Sequence, residues 1–128
     1  ILGREPKYYA VDPGIRTALG SGADNRNLGS TLENLVYLQL LRQDYLVHIG
    51  HLQEAEIDFV AQRDSTRVYI QVALTALDED TARREFRALR LMSDHYPRVL
   101  LTLDALDLSR DGIRHMNAEE FLLGAELV

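Results

Sequence analysis

The chain has 128 residues and a mass of 14.5 kDa, enough for one domain with a buried core and too little for two. Its 46% hydrophobic and 27% charged residues exclude disordered, collagen-like and coiled-coil classes, and its lack of cysteine excludes disulfides, thiolate zinc sites and cysteine nucleophiles. A net charge of −6, with Lys7 as the only lysine, excludes a Walker-A lysine or Schiff-base lysine after position 7 and any long-range attraction to nucleic acid.

Residues 8–11, Tyr-Tyr-Ala-Val, form a strand-like run that stops at the turn Asp12-Pro13-Gly14. A short helix over 15–19 follows, and the Gly-, Ser- and Asn-rich stretch 20–29 reads as a loop. Ser30-Thr31-Leu32-Glu33 has the form of a capping box and predicts a helix start. That helix is apolar round much of its circumference (Leu32, Leu35, Val36, Leu38, Leu40, Leu41), as expected of a deeply packed element.

Four strands are predicted over 45–50, 56–61, 68–74 and 99–103. A helix over 78–96 separates the last two, with Ala82, Phe86, Leu89 and Ser93 on one face and Pro97 ending it. A fifth strand over 113–116 and a last helix capped by Asn117 complete the order. Asp104, Asp107 and Asp111 read as a solvated turn before Gly112. Three sequential strands and a helical crossover give an α/β class, a mixed central sheet with helices on both faces.

Polar residues inside apolar elements are few: Glu33 on the first helix, Glu56 and Asp58 on the second strand, and Gln71 on the third. With a side-chain period of two, Glu56, Asp58 and Val60 share one face, and Ile57, Phe59 and Ala61 the other. A strand acid beside a polar neighbour, with a helix glutamate above, is a geometry that binds a hard cation through oxygens. Each also has a structural reading: Glu33 as the capping-box acid, Asp58 as a paired or hydrated carboxylate, Gln71 as its hydrogen-bond partner.

The segments over 7–16, Leu32-Glu33-Asn34-Leu35-Val36-Tyr37-Leu38, Glu56-Ile57-Asp58-Phe59-Val60 and Tyr69-Ile70-Gln71-Val72-Ala73 resemble the C-terminal domain, of unknown function, of prokaryotic AAA-type ATPases. The resemblance implies a PD-(D/E)XK, or restriction-endonuclease-like, core over 30–128. It also implies a lead-in over 1–29 that ends a winged-helix-like region, and an ATP-binding module nearer the N-terminus of a longer polypeptide. It places Glu33 at the helix glutamate, Asp58 at the metal-binding aspartate and Gln71 at the second strand acid.

Ala73 then stands where the catalytic lysine belongs. An amide in place of a carboxylate weakens magnesium binding, and alanine has no ammonium to steady charge in the transition state, a loss of about 10²–10⁴-fold. Arginines such as Arg67, Arg83 or Arg84 supply charge but not a base.

The expectation is therefore a non-catalytic, cytoplasmic accessory domain with a partner-binding or nucleic-acid-sensing surface. The alternatives are a magnesium-dependent nuclease using Glu33, Asp58 and Gln71, or a pure oligomerisation domain. Arg83, Arg87 and Arg90 form a basic stripe read either as a phosphate or partner contact or as a solvated face balanced by Asp78, Glu79, Asp80 and Glu85. No apolar run reaches the roughly 18 to 20 residues of a membrane span, so no membrane partner is expected.

Overall fold

The computed structural model describes residues 25–128. The strand-like run 8–11, the turn 12–14, the helix expected over 15–19 and loop residues 20–24 lie outside the described residues.

The first described helix, α1, spans Asn25–Arg42 and so begins five residues before the expected capping box. The reason is packing: Leu28 precedes Leu32 and Leu35 at helical spacing and lies against the same core, which extends the apolar stripe backwards. Thr31 inside the helix turns its hydroxyl onto Asn27 O at 2.8 Å. Ser30 is thus an exposed interior residue, and Glu33 does not serve as a capping-box acid. Nor is α1 buried all round. Leu32, Val36 and Leu40 are fully buried, whereas Tyr37, Leu38 and Leu41 are exposed.

Strands β1 (Leu46–His51), β2 (Glu56–Arg63) and β3 (Thr66–Val72) pair antiparallel, and β4 (Arg98–Thr102) and β5 (Arg114–Asn117) extend the sheet in parallel, in the order β1-β2-β3-β4-β5. Helix α2 (Glu79–Arg90) makes the crossover from β3 to β4, and the short α3 (Ala118–Leu122) follows β5 directly, capped by the Asn117 side chain on Glu120 N at 3.1 Å. Before β5 the chain reverses at Asp111-Gly112, both at positive φ (54° and 76°), the type I′ geometry that an Asp-Gly pair favours.

Helices α1 and α3, the latter through Phe121, cover one face of the sheet over Ile70 and Leu101, while α2 covers the other with Phe86 and Leu89 over Leu100. The expected α/β class with a mixed sheet and helices on both faces is what forms.

Helix α2 is shorter than its apolar pattern suggests, ending at Arg90 rather than near residue 96, so Ser93 lies beyond it. Arg98, at the start of β4, collects the carbonyls of the connecting turn. Its guanidinium donates to Leu89 O (3.0 Å), Met92 O (2.6 Å), Asp94 O (2.7 Å) and Tyr96 O (2.8 Å). Carbonyls that a continuing helix would bond internally are instead satisfied by a charged donor.

The register of β1 against β2 slips between His48↔Val60 and Gly50↔Ile57, so β2 carries one extra residue there, a β-bulge. The expected alternation fails at this point. Ile57 joins Val60 in the α2-side core, while Phe59 and Ala61 pack on the α1 side. Gly50 faces the bulge where no side chain fits: a Cβ would lie 2.9 Å from Val60 Cγ2 and 3.0 Å from Ile57 Cβ. We expect Gly50→Ala to cost about 1–3 kcal/mol by overpacking. Urea denaturation checks this, and a variant as stable as the natural chain would show that the bulge relaxes.

Candidate functional site at the fork of the sheet

Strands β2 and β3 pair from Arg63↔Thr66 as far as Phe59↔Ile70, after which β3 continues alongside β4 through Gln71↔Leu100 and Val72↔Leu101. Beyond Phe59 the sheet forks, and the backbone N–H groups of Asp58 and Val72 lose their ladder partners across the gap. Side chains replace them. Gln71 Oε1 accepts from Asp58 N at 2.6 Å, and Asp58 Oδ2 accepts from Val72 N at 2.9 Å. Buried amides need partners, and the two polar side chains inside these strands supply them.

The Gln71 amide also donates through Nε2 to Glu85 Oε1 on α2 at 2.9 Å, so a residue that is only 5% exposed has both ends of its amide engaged. Glu85 is thus a member of the site that the sequence reading assigned to a solvated face. The signal for it was present: Glu85 stands three residues after Ala82 and four before Leu89, on the buried side of α2.

Glu33 of α1 reaches the same region, and the repulsion within the group is only partly compensated. Burial pushes the Glu33 carboxyl above the ordinary glutamate value, with Asp58 and Glu56 adding repulsion. Asp58 is also raised, chiefly by burial and further by Glu56, against the pull of the Val72 N–H. Glu85 is raised by burial and then by Asp58, and Arg84 offsets part of this from 3.8 Å. The structure therefore brings Glu33, Asp58 and Gln71 into one neighbourhood and adds Glu85.

Glu33, Asp58 and Glu85 are hard oxygen donors. Among the described residues, however, no group of three or more His, Asp or Glu side chains converges as a metal site. As arranged, the donor set does not fit a three-ligand cation site. Ala73, at the position of the expected lysine, contributes only its backbone N–H, bonded to Leu101 O at 3.0 Å.

This cluster makes a stability prediction. A carboxyl raised in the fold contributes stability that is fully present below its unfolded pKa and is lost as pH rises through the folded value. Asp58→Asn keeps an oxygen for the Val72 N–H and removes the charge. We expect it to be about 1 kcal/mol more stable than the natural chain at pH 7 to 8, with the advantage vanishing as pH falls through the carboxylate range. Paired thermal melts from pH 4 to 8 test this, and a destabilised variant at pH 8 would mean that the charge itself holds the fork closed.

Beside the cluster, an open groove of about 450 Å³ runs between α1 and the sheet edge. Ser30, Glu33, Asn34 and Tyr37 line its helix wall at helical spacing, and Val47, Ile49 and Phe59 its sheet wall. Tyr37 and Phe59 stack with ring centroids 6.1 Å apart.

Comparison with known proteins bears on what this site belongs to. A family model described as a domain of unknown function, DUF4143, matches residues 28–121. The chain belongs to that family. An uncharacterised protein of Haemophilus influenzae is 35% identical over 118 residues, covering 91% of this chain and 28% of the relative. The chain thus spans less than a third of that relative's length. No solved structure matches it.

Elsewhere in this DUF4143 domain, the arginines of α2 face solvent. Arg83 pairs with Asp80 at 3.1 Å and Arg90 with Asp111 at 3.2 Å, both on the surface, and Arg87 is exposed. Their neighbour Arg84, by contrast, reaches the fork through Glu85. Arg67 lies near the start of β3 on the same α2-side face as Tyr69, with its guanidinium 5.2 Å over the Tyr96 ring.

Of the three aspartates expected in a solvated turn, Asp107 and Asp111 are exposed but Asp104 is 1% exposed. It is held in a buried network at the C-terminal ends of β4 and β5. There Thr102 Oγ1 lies 2.7 Å from His115 Nε2 and donates to Asp104 Oδ2 at 2.8 Å. Leu108 N donates to His115 Nδ1 at 3.2 Å, which assigns the neutral imidazole with its proton on Nε2. Burial pulls the His115 pKa down, partly offset by Asp104, in keeping with that neutral form. Every polar group of this network is matched, and it reads as architecture.

Proposed function

We propose that this DUF4143 domain is a non-catalytic accessory domain, the C-terminal part of a cytosolic AAA-type ATPase with a restriction-endonuclease-like core, and that it gives the larger protein a protein-binding surface. The observation that carries this reading is the state of Gln71. The position that resembles a metal-binding strand acid holds a neutral amide, and that amide clasps Asp58 N–H to Glu85 across the fork. Ala73 offers no ammonium two residues later, and Lys7 is the only lysine in the chain. Protein is favoured over nucleic acid as the partner because the groove beside the fork sets Glu33 beside Tyr37, Val47, Ile49 and Phe59 and contains no lysine or arginine among the described residues, in a chain of net charge −6. ATP belongs to the module nearer the N-terminus of the full protein.

A second reading, a magnesium-dependent nuclease, draws on the three carboxyls held above their ordinary values. One experiment separates the two. Magnesium and manganese are titrated into the chain by calorimetry, and single- and double-stranded DNA and RNA are incubated with each metal, for the natural chain and Asp58→Asn. We expect no cleavage. Metal-dependent cleavage that Asp58→Asn abolishes would overturn the accessory reading. The third role, oligomerisation alone, predicts a stable oligomer in sedimentation at tens of micromolar, and we expect a monomer.

A further inference from the structure

Strand β1 forms one edge of the sheet, and its outer side has no strand partner among the described residues. Exposed edges are normally blunted by lysine, proline or other charged residues, because a row of free N–H and C=O groups invites pairing with another chain. Leu-Val-His-Ile-Gly-His has no lysine, arginine, acid or proline. Leu46 is 70% exposed and Ile49 54%, and Tyr37 and Leu41 of α1 are exposed as well.

Grooves lie on both faces of this edge. One, of about 450 Å³, is bounded by Glu33, Tyr37 and Phe59, and the other, of about 300 Å³, has an apolar floor of Ile57, Val60 and Met92. The side chains of a strand laid along β1 alternate in direction and would enter the two grooves in turn. The first groove carries the negative charge, whereas the lining of the second includes Arg67. Glu33 makes no ion pair among the described residues, and Asp58 and Glu56 stand close enough to repel it.

We propose that β1 is a docking edge for an extended segment of a partner protein that alternates aliphatic and basic residues. Its backbone adds a strand beside β1, its aliphatic side chains cover Leu46 and the apolar floor of the second groove, and its lysine or arginine side chains pass Ile49 to reach Glu33 and offset the charge behind it. The proposal rests on the protein-binding reading above and narrows the partner to one chemistry.

The test uses two synthetic peptides of alternating residues, acetyl-Val-Lys-Val-Lys-Val-Lys-Val-amide and the matched valine–glutamate peptide, titrated into the chain by amide NMR and calorimetry. The basic peptide is expected to bind at least roughly tenfold more tightly than the acidic one, with shifts confined to β1 and the groove-facing side of α1. Glu33→Gln should weaken the basic peptide alone, and Ile49→Lys should weaken both. If Ile49→Lys fails to fold, Leu46→Lys, at a more exposed position, serves the same purpose. Binding of neither peptide, equal binding of both, or shifts away from β1 would overturn the proposal. So would self-association through β1 in sedimentation, which would make a second copy the occupant. A chain that cleaves no nucleic acid yet binds neither peptide leaves the accessory reading standing and removes only this one.

Discussion

Asp104→Ala is expected to lower the stability of the domain by about 4 kcal/mol. The carboxylate is 1% exposed and serves three donors. Thr75 Oγ1 donates to Oδ1 at 2.6 Å, while Ala76 N and Thr102 Oγ1 each donate to Oδ2 at 2.8 Å. The backbone of the same residue accepts from the Asn117 side chain at 3.1 Å, so one position ties the segment between β3 and α2 to the end of β4 and the cap of α3. Alanine leaves those donors buried without partners, the costly direction of the hydrogen-bond asymmetry. Asparagine keeps the shape but turns an NH₂ group towards donors, and we expect roughly half the loss. Urea denaturation at pH 7 measures both. A loss under about 1 kcal/mol for the alanine variant would show that water replaces the carboxylate.

The second large effect is expected at Arg98. Its guanidinium holds the carbonyls of Leu89, Met92, Asp94 and Tyr96, and so fixes where α2 stops and β4 begins. Arg98→Met retains most of the apolar stem and removes all four bonds. The expected cost is about 3 kcal/mol, or roughly 10 °C in Tm. Arg98→Lys tests geometry against charge: an ammonium cannot span four carbonyls, so lysine should recover less than half of the loss. Full rescue by lysine would show that charge near the helix end, and not the planar fork of donors, does the holding.

The resemblance placed Glu33, Asp58 and Gln71 together, and the structure puts them in one neighbourhood by a device that no residue pattern states. Reading strands with a strict period of two assigned Ile57 to the face of Phe59. The bulge opposite Gly50 moves Ile57 to the face of Val60 and sets Asp58 at the fork. Glu85 was legible from its helical spacing, yet it was grouped with exposed acids because nothing in a single sequence says which neighbour an inward-facing acid will meet. Asp104 was misjudged for the same reason. Three aspartates near a glycine suggest a solvated turn, and only the convergence of three separate segments makes one of them a buried hub.

What the sequence determined by itself was the set of local preferences. The apolar periods of the helices, the strand runs, the Asn117 cap and the Asp-Gly reversal before β5 are each decided within a few residues, and together they define an α/β domain with a mixed sheet. The sequence also established the chemistry that is missing, since the absence of cysteine and of any lysine after position 7 does not depend on folding. Tertiary structure decided the rest: the early start of α1 through Leu28, the early end of α2 through Arg98, the bulge in β2, and the clasp of Asp58, Gln71 and Glu85. These depend on groups far apart in the chain competing for the same backbone donors and the same buried space, and that competition is settled only when the sheet and its helices pack.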